Sequence, residues 1–150
     1  MNSAPVPAGR PVRKLVTASA DETLSFGRQL ARELRPPLLV FLSGELGAGK
    51  TTLAKGIISG LGAAREEEVT SPTFTLVHEF RGPVRVFHID LYRIEGRADL
   101  QSLGLDDLFA SPAIVLVEWP EKWTIATDWP LVRIRLESLP GDAGHSIELK

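Results

Sequence analysis

The segment Gly44-Glu45-Leu46-Gly47-Ala48-Gly49-Lys50-Thr51 is where this sequence concentrates its chemistry. It fits G-x-x-x-x-G-K-[ST] at every fixed position, a spacing that cradles nucleotide phosphates. A loop wrapping a phosphate must turn tightly and bring backbone N–H groups to its oxygens. Side chains obstruct both, which accounts for Gly44, Gly47 and Gly49 and tolerates the small Ala48. A helix opening near Gly49 adds the unpaired N–H groups of its first turn, Thr51 and Thr52 included, and the positive end of its dipole. Lys50 can reach the β- and γ-phosphates as a point charge. The Thr51 hydroxyl suits Mg²⁺, a hard cation that takes oxygen ligands. A chance match in a chain of 150 residues is on the order of 1 in 200 at average residue usage. The ligand expected from the loop alone is a nucleoside polyphosphate with Mg²⁺.

Such sites take a further acid from the end of a strand beside the loop. Glu118 follows Ile114-Val115-Leu116-Val117, and Asp90 follows Val86-Phe87-His88-Ile89. Both would stand at the carboxyl edge of a sheet, where open α/β folds bind ligands. The run before Glu118 is the more purely apolar, so Glu118 is the preferred metal-site acid alongside Thr51. Asp90 then orients water or a switch residue, or is a plain strand-end aspartate. Thr73, in Thr70-Ser71-Pro72-Thr73, stands where phosphate-sensing loops place a hydroxyl, although these are also ordinary turn residues. Trp119 either covers the nucleotide or fills the core. His88 lies inside an apolar run and reads as a buried, hydrogen-bonded residue rather than a catalyst. His78 and His145 fit no zinc-like spacing.

The elements that must hold these residues are legible around them. Residues 1–13 are rich in Pro, Gly and Ala and read as a flexible leader, with residues 14–150 as one domain. Ser19 and Glu22 match a capping box. Leu24, Gly27, Leu30, Ala31 and Leu34 recur at helical spacing, with Pro36 and Pro37 as the stop. Leu38 to Leu42 is wholly apolar, as in a strand buried on both faces of a parallel sheet. Leu53, Ile57 and Leu61 share a face of the helix after the loop, with Gly60 and Gly62 as its C-cap. Residues 74–80 and 84–90 read as strands and 99–110 as a short helix broken at Gly104. Residues 113–117 read as another buried strand, and 131–136 with 145–149 as a closing hairpin. The fold expected is α/β: a three-layer P-loop NTPase fold with a mostly parallel central sheet and a C-terminal antiparallel hairpin.

Composition removes several classes. Seventeen Lys and Arg stand against 19 Asp and Glu, a net charge of −2, so nothing global draws the chain to DNA, RNA or anionic lipid. The chain has no cysteine, which excludes disulfides, thiolate-held zinc and thiol nucleophiles and fits a reducing compartment. No apolar run approaches a membrane span. The lone asparagine is Asn2, so the N-K-x-D loop that reads guanine is missing. No L-S-G-G-Q signature occurs. A small-molecule kinase stays open, although such enzymes close an arginine-rich lid over the phosphates and here only Arg93 and Arg97 approximate one. A nucleotide-gated adaptor that needs binding without turnover also stays open.

Four blocks, SGELGAGKTT, SPTFTLVHEF, FHIDLYR and LVEWPEKW, occur in the order and at the spacing of the TsaE ATPases, which this chain resembles over about residues 43 to 123. The resemblance implies a cytoplasmic ATPase accessory to threonylcarbamoyladenosine formation in tRNA. It would act on a TsaB–TsaD complex after TsaC has supplied the activated group, meeting tRNA only through those partners. The resemblance gives the phosphate-binding role to residues 47–52 and the magnesium acid to Glu118. It also matches Asp90, Thr73 and Trp119 to family motif positions, and places the adenine near residues 20–23.

Overall fold

The computed structural model describes residues 13–70, 72 and 76–150. One seven-stranded mixed sheet organises them, in the order β1-β7-β6-β2-β5-β4-β3. The strands are β1 Arg13–Thr17, β2 Leu38–Ser43, β3 Val77–Arg81, β4 Arg85–Asp90, β5 Ile114–Glu118, β6 Leu131–Ser138 and β7 His145–Leu149. The helices are α1 Ala20–Ala31, α2 Lys50–Gly60 and the short α3 Arg97–Gln101, followed by a 3-10 stretch, Leu105–Ala110. Apart from Arg13, which opens β1, the expected leader lies outside the described residues.

The four middle strands, β6, β2, β5 and β4, are mutually parallel. The outer pairings, β1 with β7, β7 with β6 and β3 with β4, are antiparallel. The expected mostly parallel sheet is thus corrected: parallel pairing is confined to the centre. For β3–β4 and β6–β7 the cause is local. Strands joined by a short turn pair antiparallel, whereas parallel pairing needs a crossover. β3–β4 and β6–β7 are such short connections, and β6 reaches the sheet centre after the long segment that follows β5. β1 instead meets β7 from the other end of the chain. The C-terminal hairpin is present, but it is built into the sheet, with β6 against β2 and β7 against β1.

Both faces carry a core. On one, Val40, Leu42, Ile114 and Leu116 pack against Leu30, Leu53 and Ile57 of α1 and α2. On the other, Leu39, Val115, Val117 and Phe87 pack against Leu105 and Trp123. Each fully buried Leu or Ile here contributes about 1.5–3 kcal/mol relative to exposure. This explains why the strand runs 38–42 and 114–117 lack polar alternation, whereas β6 alternates exposed Arg133, Arg135 and Glu137 with buried Ile134 and Leu136.

The helix ends follow from capping chemistry. Ser19 Oγ accepts the Glu22 N–H at 3.1 Å, and Glu22 Oε1 accepts the Ala18 N–H at 2.8 Å. This is the expected box with its return bond shifted one residue outward. α1 closes at Ala31, earlier than Pro36, because its last turn tightens: Arg32, Glu33 and Leu34 bond back three residues. Leu34 is still buried. α2 ends in a Schellman motif, with the Gly62 N–H on the Ser59 carbonyl and the Ala63 N–H on the Ile58 carbonyl. Gly62, with φ 75°, is its left-handed residue. Gly60 serves otherwise: its α-carbon lies against Arg28 and Ala31 of α1.

Candidate functional site

β2 runs directly into the glycine loop, and α2 starts as that loop closes. All three loop glycines have positive φ, and two show most directly why glycine is needed. Gly44 has φ 145°, and a Cβ there would strike the Leu136 carbonyl oxygen of β6. Gly49 caps α2 with φ 98°, a left-handed conformation that costs other residues about 1–2 kcal/mol. The first N–H of α2 to find a carbonyl in its own turn is that of Leu53, on Gly49. The N–H groups of Lys50, Thr51 and Thr52 precede it, in the first turn, where an α-helix leaves its donors without intrahelical partners. Ala48 is buried in the core and does not line the cleft.

Register brings the acids to the loop. Leu42 of β2 pairs with Glu118 of β5, and Glu118 pairs with Asp90 of β4. Both carboxylates therefore stand at the carboxyl ends of adjacent parallel strands, beside the strand that feeds the loop. Thr51 Oγ1 lies 3.1 Å from each Glu118 oxygen. His88 Nε2 lies 2.7 Å from Glu118 Oε2. Asp90 Oδ1 accepts the Tyr92 N–H at 2.9 Å. Lys50 Nζ donates to the carbonyls of Gly44 and Glu45 and sits 4.3 Å from the centroid of the Trp119 ring. Burial pushes the Lys50 ammonium below its usual range, and the carboxylates of Glu118, Asp90, Glu121 and Glu45 pull it back up.

Lys50, Thr51, Asp90, Glu118, Tyr92 and Trp119 line one cleft of about 440 Å³, with His88 buried behind it. Of the residues singled out in the sequence, it brings together Gly47, Gly49, Lys50, Thr51, Thr52, Asp90, Glu118 and Trp119. Thr73 lies outside the described residues. Arg93 also lines the cleft, whereas Arg97 lies in a separate groove beside α3. Trp119 packs on the second core cluster, as its core reading expects, and also lines the cleft. Its ring lies 5.0 Å from that of Tyr92. Trp119, with φ 60°, and Leu76, with φ 64°, are the left-handed non-glycine residues among those described, and both line this cleft. Such backbone strain collects at functional sites.

Sequence reasoning missed Leu76, Tyr92 and His145 as cleft residues, along with the contact of His88 to Glu118. Tyr92 had a signal, since it stands two residues beyond Asp90. His145 had none, because it enters from β7, almost a hundred residues after the loop. The donor set suits a magnesium nucleotide: hard oxygens from Thr51 and Glu118, one amine and a helix N-terminus. Among the described residues no three His, Cys, Asp or Glu side chains could hold a metal by themselves. A cation here would accordingly lean on phosphate oxygens, as Mg²⁺ does.

Comparison with known proteins gives one family. The family described as "Threonylcarbamoyl adenosine biosynthesis protein TsaE" matches residues 17–143. The chain is 40% identical to a tRNA threonylcarbamoyladenosine biosynthesis protein TsaE of Haemophilus influenzae, over 66% of this chain and 65% of that protein. The match thus spans just under two thirds of that relative's length. A protein of the same name from Streptomyces coelicolor is 41% identical over 81% of this chain and 82% of its own. The crystal structure of YdiB from Bacillus subtilis superposes with a TM-score of 0.68 at 29% identity, covering 93% of this chain and 84% of that one. With the family match extending from the last residue of β1 to beyond β6, and relatives this similar, the chain belongs to the TsaE family.

Proposed function

We propose that this protein binds ATP with Mg²⁺ and hydrolyses it as an accessory to threonylcarbamoyladenosine formation in tRNA, acting on a TsaB–TsaD complex. One observation carries the nucleotide part: Lys50, Thr51 and Glu118 converge in one cleft at the N-terminus of α2. The pathway part rests on the family and on the names of the relatives. In this reading the glycine loop is a P-loop. The N–H groups of residues 47–52 bind the phosphates, and Lys50 exchanges its loop carbonyls for phosphate oxygens. Thr51 Oγ1 and the Glu118 carboxylate hold magnesium, directly or through water. The bound ion supplies charge neutralisation for the transferring phosphate. Asp90, held by the Tyr92 amide, orients the attacking water. Trp119 and Tyr92 wall the site against bulk solvent. ADP and phosphate are the products, and the conformational output passes to the partners.

The test is phosphate release from ATP by the protein alone and with TsaB–TsaD, alongside pull-down with and without ATP. The expected results are a low basal rate, acceleration by the complex and nucleotide-dependent association. A rate indifferent to the partners, with no complex formed, overturns the accessory role. Transfer of labelled phosphate to a metabolite in place of free phosphate establishes the kinase reading. Full function with a variant that binds but does not split ATP establishes the adaptor reading.

A further inference from the structure

His88 is fully buried on β4. Its Nε2 meets Glu118 Oε2 at 2.7 Å, and its Nδ1 has no hydrogen-bond partner among the described residues. Buried polar atoms are as a rule satisfied, and leaving one bare costs free energy. A side chain that merely filled this space could be apolar and avoid that cost. What the imidazole adds over an apolar residue is the bond from Nε2 to Glu118.

That bond settles an ambiguity Thr51 leaves. Thr51 Oγ1 is 3.1 Å from both Glu118 oxygens. A hydroxyl has one proton to donate, so Thr51 on its own favours neither oxygen and leaves the carboxylate free to turn over. His88 breaks the symmetry: its 2.7 Å bond falls on Oε2 alone, which fixes the turn of the carboxylate and leaves Oε1 without a buried partner. The buried β4–β5 pairing holds the imidazole in place, since His88 sits opposite Leu116, two residues before Glu118.

We infer that His88 is a positioning residue that locks one oxygen of Glu118 so that the other is presented to the cation at the nucleotide phosphates. This rests on the proposed role of Glu118 and deepens it. Partners of this kind, standing behind a metal-holding group, change metal affinity or activity by roughly 10–100-fold when removed.

The test separates reach from bulk. His88→Gln places an amide N–H near the position of Nε2, whereas His88→Asn carries the same group one carbon short. His88→Leu removes the donor and fills the space. For each, binding of a fluorescent methylanthraniloyl derivative of ADP is titrated with Mg²⁺, and binding without Mg²⁺ is measured in parallel. The expectation for Asn and Leu is a Mg²⁺ requirement raised about tenfold or more, with Mg²⁺-free affinity unchanged. Gln stays within about threefold of the parent. Should one of the two disruptive variants not fold, the other is compared with Gln. Equal behaviour of Gln and the disruptive variants overturns the inference, as does a loss of affinity that ignores Mg²⁺. Glu118→Gln is the control: if it leaves the Mg²⁺ requirement unchanged, the role of Glu118 fails first and the inference with it.

Discussion

Lys50 and Glu118 line the same cleft, and the residues that hold them predict different failures. Lys50 brings positive charge, held by two loop carbonyls and the Trp119 face. In the proposed function it binds phosphate, in the ground state and the transition state alike. Lys50→Ala should therefore weaken ADP and ATP affinity by about tenfold or more, equivalent to ~1.4 kcal/mol, as measured by calorimetric titration. Glu118, in that same proposal, acts where charge develops. Glu118→Ala should lower the turnover number by about 100-fold while changing nucleotide affinity by less than about tenfold, and steady-state kinetics beside equilibrium binding read that split. These two residues were legible because the motif fixes one and a wholly apolar strand ends on the other. His145 and Leu76 were not, since they reach the cleft through pairings of β7 and a bend before β3 that no local spacing announces.

The elements that position the cleft meet at unusually short range. The α-carbon of Gly27 faces the backbone of Leu53 and Ile57, and Gly56 lies against the Leu24 carbonyl. Alanine is the better helix former by about 1 kcal/mol, but here its methyl group meets backbone that cannot rotate aside. Overpacking of this kind costs about 1–3 kcal/mol and occasionally more. Gly56→Ala should lower stability by up to about 2 kcal/mol net of propensity, seen as a shifted urea midpoint at unchanged m-value. At the sheet edge, burial together with neighbouring His88 holds His78 of β3 below the ordinary histidine value of 6.5. The unfolded chain then takes up the proton first as pH falls, so stability is lost as pH drops from about 6.5 through the lower folded value. His78→Gln should flatten that loss between about pH 7.5 and about pH 5, measured as the urea midpoint against the parent. The central strands were readable because burial on both faces leaves unbroken apolar runs. β1 was not: only Thr17 of its five residues is fully buried, and its sole partner is β7, at the other end of the chain. Parallel and antiparallel pairing were inseparable for the same reason, since register depends on crossovers rather than on composition.

At the scale of the whole molecule, the sheet gives its centre to the site and its edges to closure. The loop and both acids stand at the ends of parallel β2, β5 and β4, while β1, β7 and β3 complete the sheet around them. Among the described residues no helix is long and apolar enough to cross a membrane, and the helical cover is the pair α1 and α2 with the short α3. With so little covering structure, ligand binding and global stability should be tightly linked. A ligand that binds only the folded state stabilises it by about 2.7 kcal/mol at 100 times its dissociation constant. At about 2–4 °C per kcal/mol for a chain of this size, Mg²⁺ with ADP at that level should raise the melting temperature by about 5–11 °C. Lys50→Ala, at the same ligand concentration, should keep the ligand-free melting temperature near that of the parent and lose about half of the shift. Gly56→Ala should do the reverse, lowering the ligand-free value and keeping the shift, because Gly56 lies about 9 Å along α2 from Lys50 and distant effects add. Differential scanning fluorimetry on the three proteins decides it. If the seam variant loses the ligand shift as Lys50→Ala does, then packing of α1 on α2 sets the phosphate loop, and the separation of site from scaffold drawn from this sheet is wrong.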